Sequence, residues 1–166
     1  MVDIKFLNAQ AKKVAADNGK LVRRLKNRPV PGIDEEVELL DQWAFSKIDC
    51  LSCANCCKTI SPVFKERDIV RLSDHFRMRP GAFVEKYLYM DEEGDYVLKS
   101  TPCPFLGDGN QCSVYEMRPA ACRSYPHTGT LRFTKSMDLF VKNSGVCPAV
   151  YEIAEELKKK YGKTGG

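Results

Sequence analysis

Apolar residues recur three and four apart through the first 28 residues, at Ile4, Leu7, Ala11, Val14, Leu21 and Leu25. That spacing gathers them on one helical face. Asn18-Gly19 falls inside the stripe and predicts a break into two helices. RPVPG at 28–32 is a stop, since each proline biases the residue before it away from helical backbone. A second amphipathic helix is expected from Asp34. Ile33, Val37, Leu40, Ala44 and Ile48 line one side beside Trp43, and acids fill the first turn, where the helix dipole favours them. FKERDIVRLSDHF repeats the stripe at Ile69, Leu72 and Phe76, and RPGAFVEKYL restarts a short helix with Pro80 near its first position. YMDEEGDYVLKS reads as a β-hairpin turning at Glu93-Gly94. Residues 101–130 show little periodicity and read as loop, and 133–141 read as helix. The last predicted helix, CPAVYEIAEELKKKYG, aligns Val150, Ile153, Leu157 and Tyr161, with acids before Lys158–Lys160 and Gly162 after them; a short low-complexity end, KTGG, follows.

These elements predict a mainly α fold with a small β-hairpin, its helices wrapped around an irregular cysteine-rich metal-binding centre. A length of 166 residues predicts one domain, and 43% hydrophobic residues are enough to build its core. Within it we delimit a basic helical arm (1–32), a cysteine-cluster core (48–148) and a C-terminal helix (149–166). No apolar run approaches the ~18 residues that span a membrane, and the amino end has no apolar signal segment. Asp3 and Asp17 argue against a transit peptide, so the expected location is the cytoplasm, where thiols stay reduced.

Eight cysteines then change the picture: Cys50, Cys53, Cys56, Cys57, Cys103, Cys112, Cys122 and Cys147. A disulfide framework is disfavoured in that compartment and at this length, which leaves metal binding. Two residues between cysteines let a tight turn aim both sulfurs at one ion. The series Cys50-x2-Cys53-x2-Cys56 is a narrower signal, the run with which ferredoxins supply three corners of a [4Fe–4S] cluster. Such clusters add a more distant Cys-Pro, and Cys103-Pro104 and Cys147-Pro148 both have that form. Adjacent side chains diverge, so Cys56 and Cys57 are expected to serve different groups. Eight thiols divide into two sets of four. That count fits two zinc sites, a cluster plus zinc, two clusters, or one site with spare cysteines.

"CLSCANCC", "CPFL", "CSVYEMRPAACRSYP" and a final "CP" resemble the CxxCxxCC (YkgJ-type) family of zinc- or iron-chelating cysteine-cluster domains, from about Ile48 to Pro148. All eight cysteines fall on its pattern, and the resemblance implies that they are metal ligands. Some relatives are labelled Fe–S oxidoreductases, and flagellin lysine methylases resemble the same domain. This chain has no evident S-adenosylmethionine-binding region, so the methylase role transfers weakly.

Four thiolates around a 2+ centre leave a net charge of about −2 that needs cations or donors nearby. Arg118 and Arg123 flank Cys122, and Tyr115 and Tyr125 carry hydroxyls, so these four are the expected supporting shell, with Pro119 starting a turn that presents Cys122. The plain alternative is that the arginines pair with Glu116 and cap the turn. His127 and His75 read as solvated and structural respectively, and Asp91–Asp95 lacks the spacing of a calcium loop. No phosphate-binding loop, dinucleotide fingerprint or hydrolytic triad is present, so catalysis is not asserted.

Lys12, Lys13, Lys20, Arg23, Arg24, Lys26 and Arg28 gather in the arm, opposed there chiefly by Asp17, although the whole chain carries only +4. Such a face suits RNA or an acidic protein, but without interleaved aromatics a solvated face is the better reading. The expected partners are therefore metal ions and a redox or acidic protein, with nucleic acid and membrane disfavoured. The favoured reading is an iron-binding protein, holding iron as a [4Fe–4S] cluster, in electron transfer or as part of a modifying enzyme. The competing one is a zinc-stabilised protein- or RNA-interaction module without catalysis.

Overall fold

A computed structural model describes residues 2–129 and 132–162. KTGG, and with it the end of the helix expected to reach 166, lies outside the described residues. In chain order the helices are α1 (Ile4–Asn27), α2 (Ile33–Phe45), α3 (Cys50–Cys53), α4 (Asn55–Thr59), α5 (Glu66–His75), α6 (Pro80–Tyr87), α7 (Ala120–Ser124), α8 (Phe133–Ser144) and α9 (Pro148–Tyr161). Two strands, β1 (Leu88–Met90) and β2 (Tyr96–Leu98), form an antiparallel pair, and short 3-10 turns occupy Asp108–Asn110 and Tyr115–Met117. The fold is mainly α with a small hairpin, as expected. Among the described residues no helix is long and apolar enough to cross a membrane. Contacts divide the chain into two compact units, 1–49 with 126–166, and 50–125.

The first unit packs α1, α2, α8 and α9. Its core takes Leu7, Val14, Leu21 and Leu25 from α1, Val37 from α2, Phe133 and Phe140 from α8, and Val150, Ile153 and Leu157 from α9. The two phenylalanine rings meet edge to face at 5.1 Å. α1 is a single helix, so the break expected at Asn18-Gly19 does not occur. Asn18 is wholly buried on the same face as Val14 and Leu21, and a Cβ on Gly19 would sit only 3.9 Å from Val141. Tertiary packing along α8 outweighs the local cost of glycine, about 1 kcal/mol.

Polar ties close this unit. Asp34 accepts from the backbone N–H and hydroxyl of Thr134, and Arg24 donates to the Tyr161 carbonyl. Glu36 accepts from the Tyr161 hydroxyl at 2.6 Å and the Lys160 ammonium at 2.9 Å. Burial opposes charge on Glu36, but these two donors outweigh it and hold the carboxyl below its usual value.

The second unit has its own core of Phe64, Ile69, Leu72, Phe83, Leu88, Leu98, Phe105 and Val114. Phe83 and Phe105 stack with centroids 6.2 Å apart, and Phe76 stacks on Phe105 at 5.5 Å. The hairpin pairs Leu88 with Leu98 and Met90 with Tyr96. Its turn needs the positive φ of Gly94 (81°), and the Asp91 carboxylate accepts from the N–H groups of Glu93 and Asp95.

Two predictions follow from the first unit's packing. A Cβ at Gly145 would fall 2.7 Å from the Ala11 carbonyl oxygen, where α1 and α8 meet. Gly145→Ala is therefore expected to cost about 1–3 kcal/mol, read as a lower urea midpoint. For Glu36 the folded pKa lies below the unfolded one, so its contribution is present above the unfolded value and fades as pH falls through the folded value. Glu36→Gln should lower stability by about 1 kcal/mol or less at pH 7, a partly exposed pair being screened by solvent. The gap between variant and wild type should narrow below about pH 4 in paired urea titrations.

Candidate metal centre

The eight cysteines are all thiols. Seven of them lie within 50–125, and Cys147 belongs to the unit formed by 1–49 and 126–166. Cys147 is buried at the N-cap of α9, its backbone N–H bonded to the Asn143 carbonyl, with Pro148 opening the helix behind it.

The CLSCANCC segment winds into two short helical turns rather than a simple loop. Cys50 and Cys53 bound α3, and Cys56 and Cys57 follow one another in α4. Between the turns Ala54 takes a left-handed conformation (φ 47°), which a Cβ disfavours and which redirects the chain. The Ala54 N–H still closes α3 by bonding the Cys50 carbonyl at 2.8 Å. The 3-10 turn at Asp108–Asn110 lies against α3, where the Asn110 amide donates to the Ser52 carbonyl.

A backbone hydrogen bond ties the Cys57 segment to Cys103. The Cys103 N–H donates to the Cys57 carbonyl at 2.8 Å. Cys103 begins a tight excursion in which Leu106 bridges Cys112, the Leu106 N–H bonds the Cys103 carbonyl, and the Ser113 N–H bonds the Phe105 carbonyl. Phe105 and Val114 anchor this excursion in the core. Cys122 sits on α7, a short helix that starts immediately after Pro119.

Cys57, Cys103, Cys112 and Cys122 are electrostatic neighbours. Burial pushes the Cys103 thiol up to about 11, with the charges of Cys57 and Cys112 adding to it. Burial pushes Cys122 up to about 12, helped by all three of the others. Cys112 is raised by burial and by Cys57. Cys57 moves the other way, down to about 7, because Cys56 hydrogen-bonds its sulfur and, against burial, the charges of Arg118 and Lys58 favour the thiolate.

Arg118 bears on Cys57, Cys112 and Cys122, favouring the anion at each. Its guanidinium lies 3.5 Å from the centre of the Tyr115 ring and donates to the Tyr115 carbonyl at 2.8 Å. Tyr115 thus supports Arg118 through its ring face and its backbone oxygen. Arg123 is exposed on α7, and Tyr125 is half-buried at that helix's end. His75 packs edge-on to Phe76, and His127 lies in the other unit with positive φ.

Two residues that the pattern of the chain did not single out hold this region in place. Asp68 is buried in the first turn of α5 and pairs with Arg71 at 2.6 Å. The same carboxyl oxygen accepts from the Ala120 N–H at the start of α7, while Arg71 donates to the Arg118 carbonyl at 2.8 Å. One ion pair, its carboxylate buried and its guanidinium partly exposed, therefore clamps the strip that carries Arg118 and leads into Cys122. In sequence the pair is an ordinary i,i+3 couple on an amphipathic helix. Nothing local indicates that it reaches 52 residues along the chain.

The donor set fits a thiophilic metal. As anions the four sulfurs repel one another, and only Cys57 is held near neutral pKa, so a cation among them would relieve the repulsion and take up the sulfurs as thiolates. Among the described residues no three His, Cys, Asp or Glu side chains converge as closely as metal ligands do, so the four are neighbours rather than a finished coordination sphere.

The model of the CxxCxxCC family, described as "Putative zinc- or iron-chelating domain", matches residues 49–148, and the chain belongs to that family. No curated protein and no solved structure matches it.

The clamp yields a prediction. Asp68→Ala leaves the Arg71 charge without its buried partner and should cost roughly 3 kcal/mol, read by urea denaturation. Bound metal should also pass faster to a chelator, and Val70→Ala, an exposed change on the same helix, should alter neither quantity.

Proposed function

We propose that this chain is an iron-binding cysteine-cluster protein. Cys50, Cys53 and Cys56 would supply thiolates to a [4Fe–4S] cluster, and Cys57, Cys103, Cys112 and Cys122 would hold a second metal. What supports the two-set division is that the Cys103 N–H bonds the Cys57 carbonyl at 2.8 Å and Leu106 of the same excursion bridges Cys112, while Cys50 and Cys53 occupy their own turn in α3. Cys56, which hydrogen-bonds the Cys57 sulfur, is where the two sets adjoin. When bound, the cluster supplies one-electron redox chemistry, and electron transfer is the function it supports. The chain's own residues would deliver thiolates, shield them from water and offset their charge. Arg118 serves as the nearby cation, held by the Tyr115 ring, with Arg123 and Tyr125 as outer support.

Zinc is the competing occupant. A neighbourhood of four thiols has the right number and type of ligand for a closed tetrahedral site, which would make the chain a zinc-stabilised interaction module.

The test is protein made with iron and sulfide and kept from oxygen. It should be brown, contain acid-labile sulfide and bleach with dithionite, because sulfur-to-iron charge transfer absorbs visible light and d¹⁰ zinc absorbs none. Cys53→Ser should remove the colour, whereas Cys57→Ser should keep it and lose a separate metal equivalent. Colourless protein with stoichiometric zinc and no labile sulfide rules out the iron reading. Loss of the same equivalent in both variants rules out the two-set division. Arg118→Ala should keep the metal but release it to a chelator about 10–100-fold more readily.

A further inference from the structure

The chain's positive charge is confined to one stretch. Residues 1–28 contain eight Lys or Arg against two acids, and the rest of the chain holds 18 against 20. The +4 total therefore arises entirely from α1 and its immediate ends. Helical geometry then sorts these charges. At 100° per residue, Lys5, Lys12, Lys13, Lys20 and Arg23 fall within about a third of the circumference, diametrically opposite the buried stripe of Leu7, Val14 and Leu25. All five are exposed, and no acid lies within that arc. Asp17 stands at its edge and pairs with Lys20, but that pair is exposed on both sides and neutralises little.

The arc is about 27 Å long from Lys5 to Arg23. Exposed Ala9 and Ala16 run down its middle, with Lys5 and Lys12 on one side and Lys13 and Lys20 on the other. Half-exposed Phe6 borders one end. The apolar side of α1 is already spent on the core, so the helix has no face with which to enter a lipid surface. No aromatic side chain lies between the cations to stack bases, which removes the usual anchor for single-stranded nucleic acid. A low central line flanked on both sides by lysines a heptad apart is instead complementary to a helix that carries carboxylates at heptad spacing.

We propose that this face of α1 docks an acidic helix of a partner protein. Association is electrostatically steered, salt-dependent and readily reversible. It rests on α1 alone and not on the identity of the metal, so it can fail while the metal reading stands.

The experiment uses the full metal-loaded chain and three labelled probes. Two are peptides of one Glu/Ala-rich composition, the first with glutamates at heptad spacing on one helical face and the second scrambled. The third is a single-stranded RNA. The heptad peptide should bind at least about 10-fold more tightly than the scrambled one, and its binding should weaken as salt rises. Lys12→Glu with Arg23→Glu should weaken it a further ~10-fold or more, while helical circular dichroism and bound metal stay unchanged. Lys135→Glu with Lys142→Glu, exposed on α8, should leave it intact. Peptide binding without register preference, binding indifferent to the α1 reversals, binding of RNA alone, or binding of nothing overturns the proposal.

Discussion

Partly buried sulfur whose ionisation is disfavoured, at Cys103 and Cys122, is the constraint on which the cysteine-rich unit turns. Cys103 and Cys122 are withdrawn far enough from water that their thiolates are strongly disfavoured, and the charge on Cys57 disfavours them further. A chain seeking only a core would place leucine or valine at these positions. Thiols that repel one another as anions are useful when a cation joins them, for then the repulsion becomes ligation. Arg118 supplies part of the compensation from within the protein.

The rest of this unit fixes the segments that carry the sulfurs. The aromatic stack of Phe76, Phe83 and Phe105 fixes the base of the excursion between Cys103 and Cys112. The Asp68–Arg71 pair fixes the strip from Arg118 to α7. Backbone hydrogen bonds carry the remaining positions, most directly from Cys103 to Cys57. Irregular backbone is thus confined between two supports, an aromatic core and an ion pair with a buried carboxylate. The helices of the other unit obey simpler rules, with continuous apolar stripes and polar ties at their ends.

Much of this was legible in the chain, and the misses have physical causes. Three-and-four periodicity located α1, α2, α5 and α9, because each buries one stripe, and a run rich in apolar residues located α8. Pro80, Gly94 and Pro119 marked starts and turns through fixed or permissive backbone angles. Asn18-Gly19 misled because Asn18 is wholly buried and Gly19 lies close to Val141 of α8, and packing decided what propensity left open. The helical turns of CLSCANCC carry too few residues for periodicity to register. Cysteine spacing suggested that Cys56 and Cys57 part company, yet Cys56 hydrogen-bonds the Cys57 sulfur, and that Cys103 neighbours Cys57 follows from a backbone hydrogen bond spanning tens of residues. Asp68 and Arg71 were invisible for the same reason. Their role is fixed by what lies across from them, not by what lies beside them in sequence.

The central claim is that cysteine sulfur, and little else, forms the coordination shell. X-ray absorption at the metal edge of the metal-loaded chain measures that shell directly. The account predicts four sulfur scatterers for each metal, at about 2.3 Å in the case of zinc. A shell dominated by nitrogen or oxygen would contradict it.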